Sequence, residues 1–204
     1  MEFDHEPRNF FKSNEEWNFS WYLDDLMDKG YVDDWSYESE IFDLALPVKI
    51  PWKKKLKTKY KDMEMPFLRE CTYNPDFKIY WNEKAKGVFY YNLEEEITDP
   101  KTLPYFASQK DISRIEIKPN FDFQNKTQQA VIKIKWLMQL GTFVQLVVPA
   151  PKVSKGGKLN PSNALFSSTF IPRRYVYTDK NMLNRKIRFK HVTLKQWEEK
   201  RLQN

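Results

Sequence analysis

The spacing of apolar residues predicts a helix near the start of the chain and a second helix in its middle. Ser13 followed by Glu16 has the capping-box pattern of a helix start, and Gly30 stands where that helix should end. A second helix is predicted from Thr127 to Gly141, because its apolar residues recur at the steps of one helix face. These apolar residues are Ala130, Val131, Ile134, Leu137 and Met138.

Short apolar or alternating stretches predict strands around these two helices. They cover residues 35–46, with a register break near Ile41, and residues 70–81, 87–91, 114–118 and 143–148. Residues 103–109 favour a short helix, residues 194–202 are helix-prone, and the lysine-rich residues 53–61 favour a loop or hairpin arm. The strand–helix–strand order from residue 114 to residue 148 is a crossover unit, which predicts a parallel strand pair within an α/β fold.

Composition narrows the class of protein. The chain has 204 residues, of which 30% are charged and 41% hydrophobic, so it is long enough for one domain with a core of its own. No apolar run approaches the roughly 18 residues that a bilayer requires, and the acidic N-terminus has no apolar stretch of a secretory signal. A single cysteine, Cys71, indicates a reduced, intracellular setting. This single cysteine excludes multi-cysteine metal sites, and the presence of only two histidines, His5 and His191, excludes histidine-rich ones.

The net charge of +6 is unevenly distributed along the chain. Residues 13–46 contain ten acids and one base, whereas residues 52–61 contain six lysines and no acid. Residues 173–201 contain ten bases and three acids. This asymmetry indicates a nucleic acid or another acidic partner at the basic segments, although a solvated surface of uneven charge fits it about equally well.

Two short segments carry the candidate chemistry. Glu116 and Lys118 are two residues apart on a predicted strand, so both side chains leave the same face, while Ile115 and Ile117 point into the core. A second isolated carboxylate, Asp76, lies on an upstream strand. Two carboxylates that meet beside a lysine form a site for a hard divalent cation and a water molecule.

The order of these segments resembles the PD-(D/E)xK nuclease superfamily, and within it the phage and bacterial Holliday-junction-resolvase-like endonucleases. The resemblance rests on Tyr73-Asn74-Pro75-Asp76-Phe77, then on Glu116-x-Lys118 followed by a helix and a short strand. It spans residues 13–149 and implies a restriction-endonuclease-like α/β core, a mixed sheet flanked by helices. Residues 1–12 are then an N-terminal arm, residues 82–111 an inserted hairpin and loop, and residues 150–204 a basic C-terminal extension.

The resemblance also implies a mechanism. Asp76 and Glu116 would hold Mg²⁺, or alternatively Mn²⁺, with help from the Ile117 carbonyl, and Lys118 would orient the attacking water. The glutamate of the first helix corresponds to Glu16, or less well to Glu15, as a further metal ligand. The expected activity is that of a metal-dependent endodeoxyribonuclease, with branched DNA in phage replication or recombination as its substrate. Gln128, Gln129 and Lys133 on the next helix stay open as additional site residues.

Basic segments on both sides of such a site are expected to hold DNA phosphates. They comprise Lys53, Lys54, Lys55, Lys57, Arg173, Arg174, Arg185, Lys186 and Arg188. The resemblance allows a homodimer, predicts no membrane partner, and places a phage-encoded enzyme in the host cytoplasm.

Each site residue also has an ordinary structural interpretation. Asp76 can cap a turn, Glu116 and Lys118 can form a surface ion pair, and Glu16 can simply close its capping box. The alternative function is a catalytically silent nucleic-acid-binding or virion-associated protein with the same fold. A third interpretation is a structural protein whose aromatic residues, 16% of the chain, form a protein interface.

Overall fold

The computed structural model describes residues 6–119, 126–150, 164–172, 174 and 192–202. Over these residues the chain is a mixed α/β protein with a mixed sheet and helices, as the sequence predicts. In chain order the elements are α1 (Asn14–Asp28), β1 (Val32–Tyr37), β2 (Phe42–Ala45), β3 (Val48–Lys55), β4 (Tyr60–Leu68), β5 (Cys71–Tyr73), β6 (Phe77–Trp81), β7 (Tyr90–Asn92), β8 (Phe106–Ser108), β9 (Ile112–Ile117), α2 (Lys126–Gln139), β10 (Gln145–Val147), α3 (Leu165–Ser168) and α4 (Leu194–Leu202).

The central sheet has four strands in the order β1-β6-β9-β10. β6 runs antiparallel to both β1 and β9, whereas β10 runs parallel to β9. The parallel pair confirms the predicted crossover through α2, because a helix between two strands returns the chain in its original direction. The remaining strands form three two-stranded pairs, β2-β5, β3-β4 and β7-β8.

Helix α1 begins and ends where the sequence predicts. The Ser13 hydroxyl accepts a hydrogen bond from the Glu16 N–H at 3.1 Å, and Gly30 takes the left-handed conformation, with φ of 67°, that ends the helix. Its buried face packs on the sheet, with the Phe19 and Phe77 rings 5.0 Å apart in an edge-to-face arrangement. Such aromatic pairs contribute about 0.5–1.5 kcal/mol beyond the area they bury.

Two apolar clusters cover the two faces of the central sheet. Ile117 and Val147 belong to the larger cluster, which includes the buried side chains of α1. Leu146, the register partner of Glu116, contacts the smaller cluster, where Ile134 and Leu137 of α2 are buried. Because neighbouring residues of a strand face opposite ways, α1 and α2 lie on opposite sides of the sheet.

Some strand boundaries differ from the predictions. Residues 35–46 form parts of two strands in different sheets, since the chain turns through Glu38, whose φ is 47°. Residues 70–81 likewise form two strands, β5 and β6, with Asp76 between them. The short helix predicted at residues 103–109 is wrong, because this segment contains strand β8. All three residues of β8 are buried, and a fully buried run has no alternation that would distinguish a strand from a helix.

Residues 82–111, predicted to be an inserted hairpin and loop, contain no simple hairpin, because β7 and β8 pair in parallel. The lysine-rich residues do form a hairpin arm, β3-β4. In the C-terminal part, Leu165, Phe166 and Trp197 are buried in the larger cluster, so α3 and α4 pack on the core. No helix among the described residues has both the length and the apolar character needed to cross a bilayer.

Candidate active site

Strand pairing brings Asp76 and Glu116 together. Phe77 of β6 is the register partner of Ile115 of β9, and continuing this register one step beyond the last pair puts position 76 opposite position 116. Residues that stand opposite each other in an antiparallel pair leave the same face of the sheet. The Ile117 N–H donates to Asp76 Oδ2 at 2.6 Å, which fixes this carboxylate against β9. The Asp76 carboxylate is thus held beside β9, where the negative charge of Glu116 acts on it.

Glu116 is a buried carboxylate with two donors. Its exposed fraction is 5%, its Oε1 accepts from Lys118 Nζ at 2.5 Å, and its Oε2 accepts from the Tyr73 hydroxyl at 2.8 Å. An ordinary surface ion pair leaves both groups in water, where it contributes little. The burial of Glu116, together with a Lys118 side chain that is only 19% exposed, does not fit that interpretation.

Glu16 bonds to the cap of α1, and its negative charge also acts on Asp76. Its Oε1 accepts from the Ser13 hydroxyl at 2.8 Å, while its Oε2 accepts from the Tyr37 hydroxyl at 2.5 Å and from the Lys12 N–H at 3.0 Å. The side chain is buried, with 7% exposed, whereas that of Glu15 is only half-buried. Of the two glutamates that the sequence offers, Glu16 is the one directed inward.

The three carboxylates act on one another electrostatically. Burial, followed by the negative charges of Glu116 and Glu16, raises the pKa of Asp76 to about 8. The Ile117 N–H and the positive charge of Lys118 oppose this shift without cancelling it. A carboxyl group in this position stays protonated near neutral pH unless a further positive charge enters the site.

Lys12 and Glu38 line the site from the side of the N-terminal segment. The Lys12 ammonium pairs with the Glu38 carboxylate, and the Glu38 N–H donates to the Asp76 carbonyl at 2.9 Å. This pairing raises the pKa of Lys12, and the charges of Asp76 and Glu16 add to the effect. Lys12 is therefore a second cation near the carboxylates, in addition to Lys118, and it comes from the segment directly before α1.

Sequence reasoning missed Tyr37, Lys12 and Glu38, and it quoted Tyr73 without assigning it a role. Tyr73 and Glu116 are 43 residues apart, and Tyr37 and Glu16 are 21 residues apart, so no local pattern connects them. The only signals were the position of Tyr73 three residues before Asp76 and that of Lys12 directly before the helix cap.

The donor set suits a hard divalent cation, because every candidate ligand is an oxygen. Within the described residues, however, no group of three or more His, Cys, Asp or Glu side chains is gathered so that it could hold a metal ion. Asp76 and Glu116 stand together, while the oxygens of Glu16 are occupied by Ser13, Tyr37 and Lys12. The arrangement therefore offers a carboxylate pair with Glu16 beside it.

Of the residues left open on α2, Lys133 comes closest to this region. Its Nζ donates to the Thr72 carbonyl at 2.9 Å, directly beside Tyr73, and the contact is exposed to solvent. Gln128 and Gln129 are exposed.

The predicted nucleic-acid-binding residues lie in two places. Lys53, Lys54 and Lys55 are exposed at the end of β3, and Lys57 is exposed in the turn that follows. Arg174 is exposed as well. The remaining four, Arg173, Arg185, Lys186 and Arg188, lie outside the described residues.

No protein-family model, curated protein or solved structure matches this chain. The likeness to PD-(D/E)xK nucleases therefore stays a prediction from the sequence. The function proposed for this chain is based on the chemistry of the site and on the charges around it.

Proposed function

We propose that the protein is a Mg²⁺-dependent endonuclease of the PD-(D/E)xK type, which hydrolyses phosphodiester bonds in DNA. The observation that carries this proposal is the buried Asp76 opposite the buried Glu116, with the Lys118 ammonium 2.5 Å from the glutamate. Two carboxylates buried side by side repel each other and lose hydration, which is costly without a cation. A divalent metal ion would supply that charge.

The order of the elements supports a restriction-endonuclease-like core around this pair. Helix α1 precedes the antiparallel strands β1, β6 and β9, and α2 then leads to the parallel strand β10. Asp76 and Glu116 lie at one end of the two central strands, and Glu16 reaches the same end from the first turn of α1. This placement agrees with the family pattern that the motifs resemble.

Each side chain has a part in the proposed hydrolysis. Mg²⁺ at this site would supply the positive charge that lowers the pKa of water and neutralises the scissile phosphate. Asp76 and Glu116 would hold the ion, and Lys118 would orient the water and stabilise the charge that grows on the phosphate oxygens. Burial and the charge of Glu116 raise the pKa of Tyr73, so its hydroxyl remains a proton donor that fixes Glu116.

The finer assignments rest on the resemblance alone. These are a branched DNA substrate in phage replication or recombination, Mn²⁺ as a substitute metal, a homodimer, and the host cytoplasm as the place of action for a phage-encoded enzyme.

The test is cleavage of supercoiled and cruciform DNA with Mg²⁺ or Mn²⁺. The wild type is expected to cut, whereas Asp76→Asn, Glu116→Gln and Lys118→Met should each lose at least about 100-fold in rate, because each removes a charge that acts in the transition state. A matched control is Lys86→Met, which breaks the exposed Lys86–Glu95 ion pair elsewhere on the chain and should cut normally.

One observation favours a second candidate, a nucleic-acid-binding protein without catalysis. Both oxygens of Glu116 already accept from protein donors, Lys118 and Tyr73, and the described carboxylates form no ready group of three. If wild type and variants bind DNA equally and none of them cuts under either metal, this candidate replaces the nuclease. If none of them binds DNA at low salt, both proposals are wrong.

A further inference from the structure

The β3-β4 hairpin has two chemically different faces. Cross-strand partners share a face, and successive pairs alternate between faces. One face therefore carries the register pairs Ile50–Met65, Trp52–Met63 and Lys54–Lys61. The other face carries Pro51–Glu64, Lys53–Asp62 and Lys55–Tyr60. The first is called here the apolar face and the second the ionic face.

The apolar face is not covered by the rest of the described chain. Trp52 is 41% exposed and Met65 43% exposed, and Ile50 is exposed as well. Among the described residues, β3 and β4 pair only with each other. A two-stranded hairpin is marginally stable in water by itself, and a row of large apolar side chains along it indicates a contact surface.

The charge of the hairpin identifies the kind of partner. Residues 48–68 contain seven lysines and two acids, a net charge of +5, while the whole chain carries +6. Both acids lie on the ionic face, where Asp62 is 4.0 Å from Lys53 Nζ and Glu64 is 3.5 Å from Lys49 Nζ. The lysines that remain are Lys54 and Lys61 on the apolar face, Lys57 and Lys59 in the turn, and Lys55 directly before the turn.

A polyanion fits this distribution better than a second copy of the chain. Two hairpins packed by their apolar faces would bring two segments of net charge +5 together, which costs Coulomb energy. A duplex groove instead offers phosphates along its edges and apolar sugar and base surfaces inside. The major groove admits a two-stranded β-ribbon, and apolar side chains contact the thymine methyl groups inside it.

We propose that the β3-β4 hairpin enters a groove of double-stranded DNA with its apolar face inward. Trp52 and Ile50 contact the groove interior, while Lys54, Lys61 and the tip lysines contact the phosphates. This inference rests on the proposed function, because it assigns a DNA-holding arm to the same enzyme. The ionic face points away from the duplex.

The test is binding of a fluorescent duplex of about 30 base pairs, measured without divalent metal over a range of salt concentrations. Lys54→Ala combined with Lys61→Ala should reduce the slope of log K against log salt by about 2, since each phosphate contact contributes about 0.9. Trp52→Ala should weaken binding about tenfold and leave that slope unchanged. Lys49→Ala, on the ionic face beside Glu64 and not among the predicted DNA-binding lysines, is the matched control and should change neither quantity.

The outcomes separate this inference from the nuclease proposal. Thermal unfolding and light scattering are recorded for every variant, so that misfolding and self-association are visible. If Trp52→Ala changes the molar mass and leaves DNA affinity intact, the apolar face is a protein interface and the inference is wrong. If Lys49→Ala lowers the salt slope as each lysine of the double variant does, the assignment of faces is wrong. If wild type and hairpin variants bind and cut DNA identically, only the hairpin inference fails, whereas a wild type that never cuts contradicts the nuclease.

Discussion

At the scale of single residues, Asp76 is, among the described carboxyl groups with a raised pKa, the one whose surroundings most oppose the charged form. Its pKa in the folded protein, about 8, lies well above the usual value of a free aspartate. Between these two values the folded state holds a proton that the unfolded state has lost. The free energy of unfolding therefore decreases as the pH rises through this window, and above it the full cost of the buried charge remains.

Replacing Asp76 by asparagine should remove this dependence. The amide cannot ionise but still offers an oxygen to the Ile117 N–H, so we expect Asp76→Asn to exceed wild type in unfolding free energy by roughly 1–4 kcal/mol at about pH 9 and to approach it near pH 4. Urea unfolding at a series of pH values measures the difference. Asp62→Asn, in the exposed hairpin, is the control and should run parallel to wild type. If the unfolding free energies of Asp76→Asn and wild type change in parallel with pH, folding does not raise the pKa of Asp76.

A divalent cation should stabilise the protein through the same two carboxylates. Binding to the folded state alone adds about 2.7 kcal/mol when the free metal is about 100 times its dissociation constant. We expect Mg²⁺ or Mn²⁺ at about pH 8 to raise the melting temperature of wild type and of Lys86→Met. The increase should disappear in Asp76→Asn and Glu116→Gln. A shift that persists in both carboxylate variants would place the metal elsewhere on the chain.

At the scale of elements, the sequence predicts what depends on local pattern. Ser13 and Gly30 mark the ends of α1, and the apolar steps after Thr127 mark α2, because caps and helix faces are built from residues close in sequence. The motif order predicts that Asp76 and Glu116 meet, and the pairing of β6 with β9 puts both residues at the same end of these two strands. The sequence does not predict strand β8, because the burial of β8 depends on residues far away in the sequence. For the same reason it does not predict the hydrogen bonds that Tyr73 donates to Glu116 and Tyr37 donates to Glu16.

The cap of α1 connects helix stability with the site. The Ser13 hydroxyl accepts from the Glu16 N–H and donates to the Glu16 carboxylate, so Ser13→Ala loses both bonds. We expect the free energy of unfolding to fall by about 0.5–2 kcal/mol. Cleavage should fall as well, because Glu16 loses one of the groups that hold it. Ser13→Thr keeps the hydroxyl and is the control; equal cleavage by wild type and Ser13→Ala would separate Glu16 from the chemistry.

At the scale of the whole molecule, charge is divided between parts of the chain. The hairpin of residues 48–68 carries a net charge of +5, while residues 13–46, which form α1, β1 and β2, contain ten acids and one base. A polyanion approaching the protein is attracted by the hairpin and repelled by the acidic segment, and this asymmetry orients it before contact. Salt should therefore slow association more than it accelerates dissociation.

The antiparallel pairing of β6 with β9 makes the fold and the site depend on one alignment. Side chains alternate along each strand, so a shift by a single position would turn Glu116 toward Phe77 and Phe19 and present isoleucines where the acids stand. Such a slip would bury a charge among aromatic rings and would also expose apolar surface. A single shift in register therefore carries both free-energy costs. Partial misalignment is thereby strongly disfavoured, and a chain that folds with this sheet has Asp76 and Glu116 at the same end of β6 and β9.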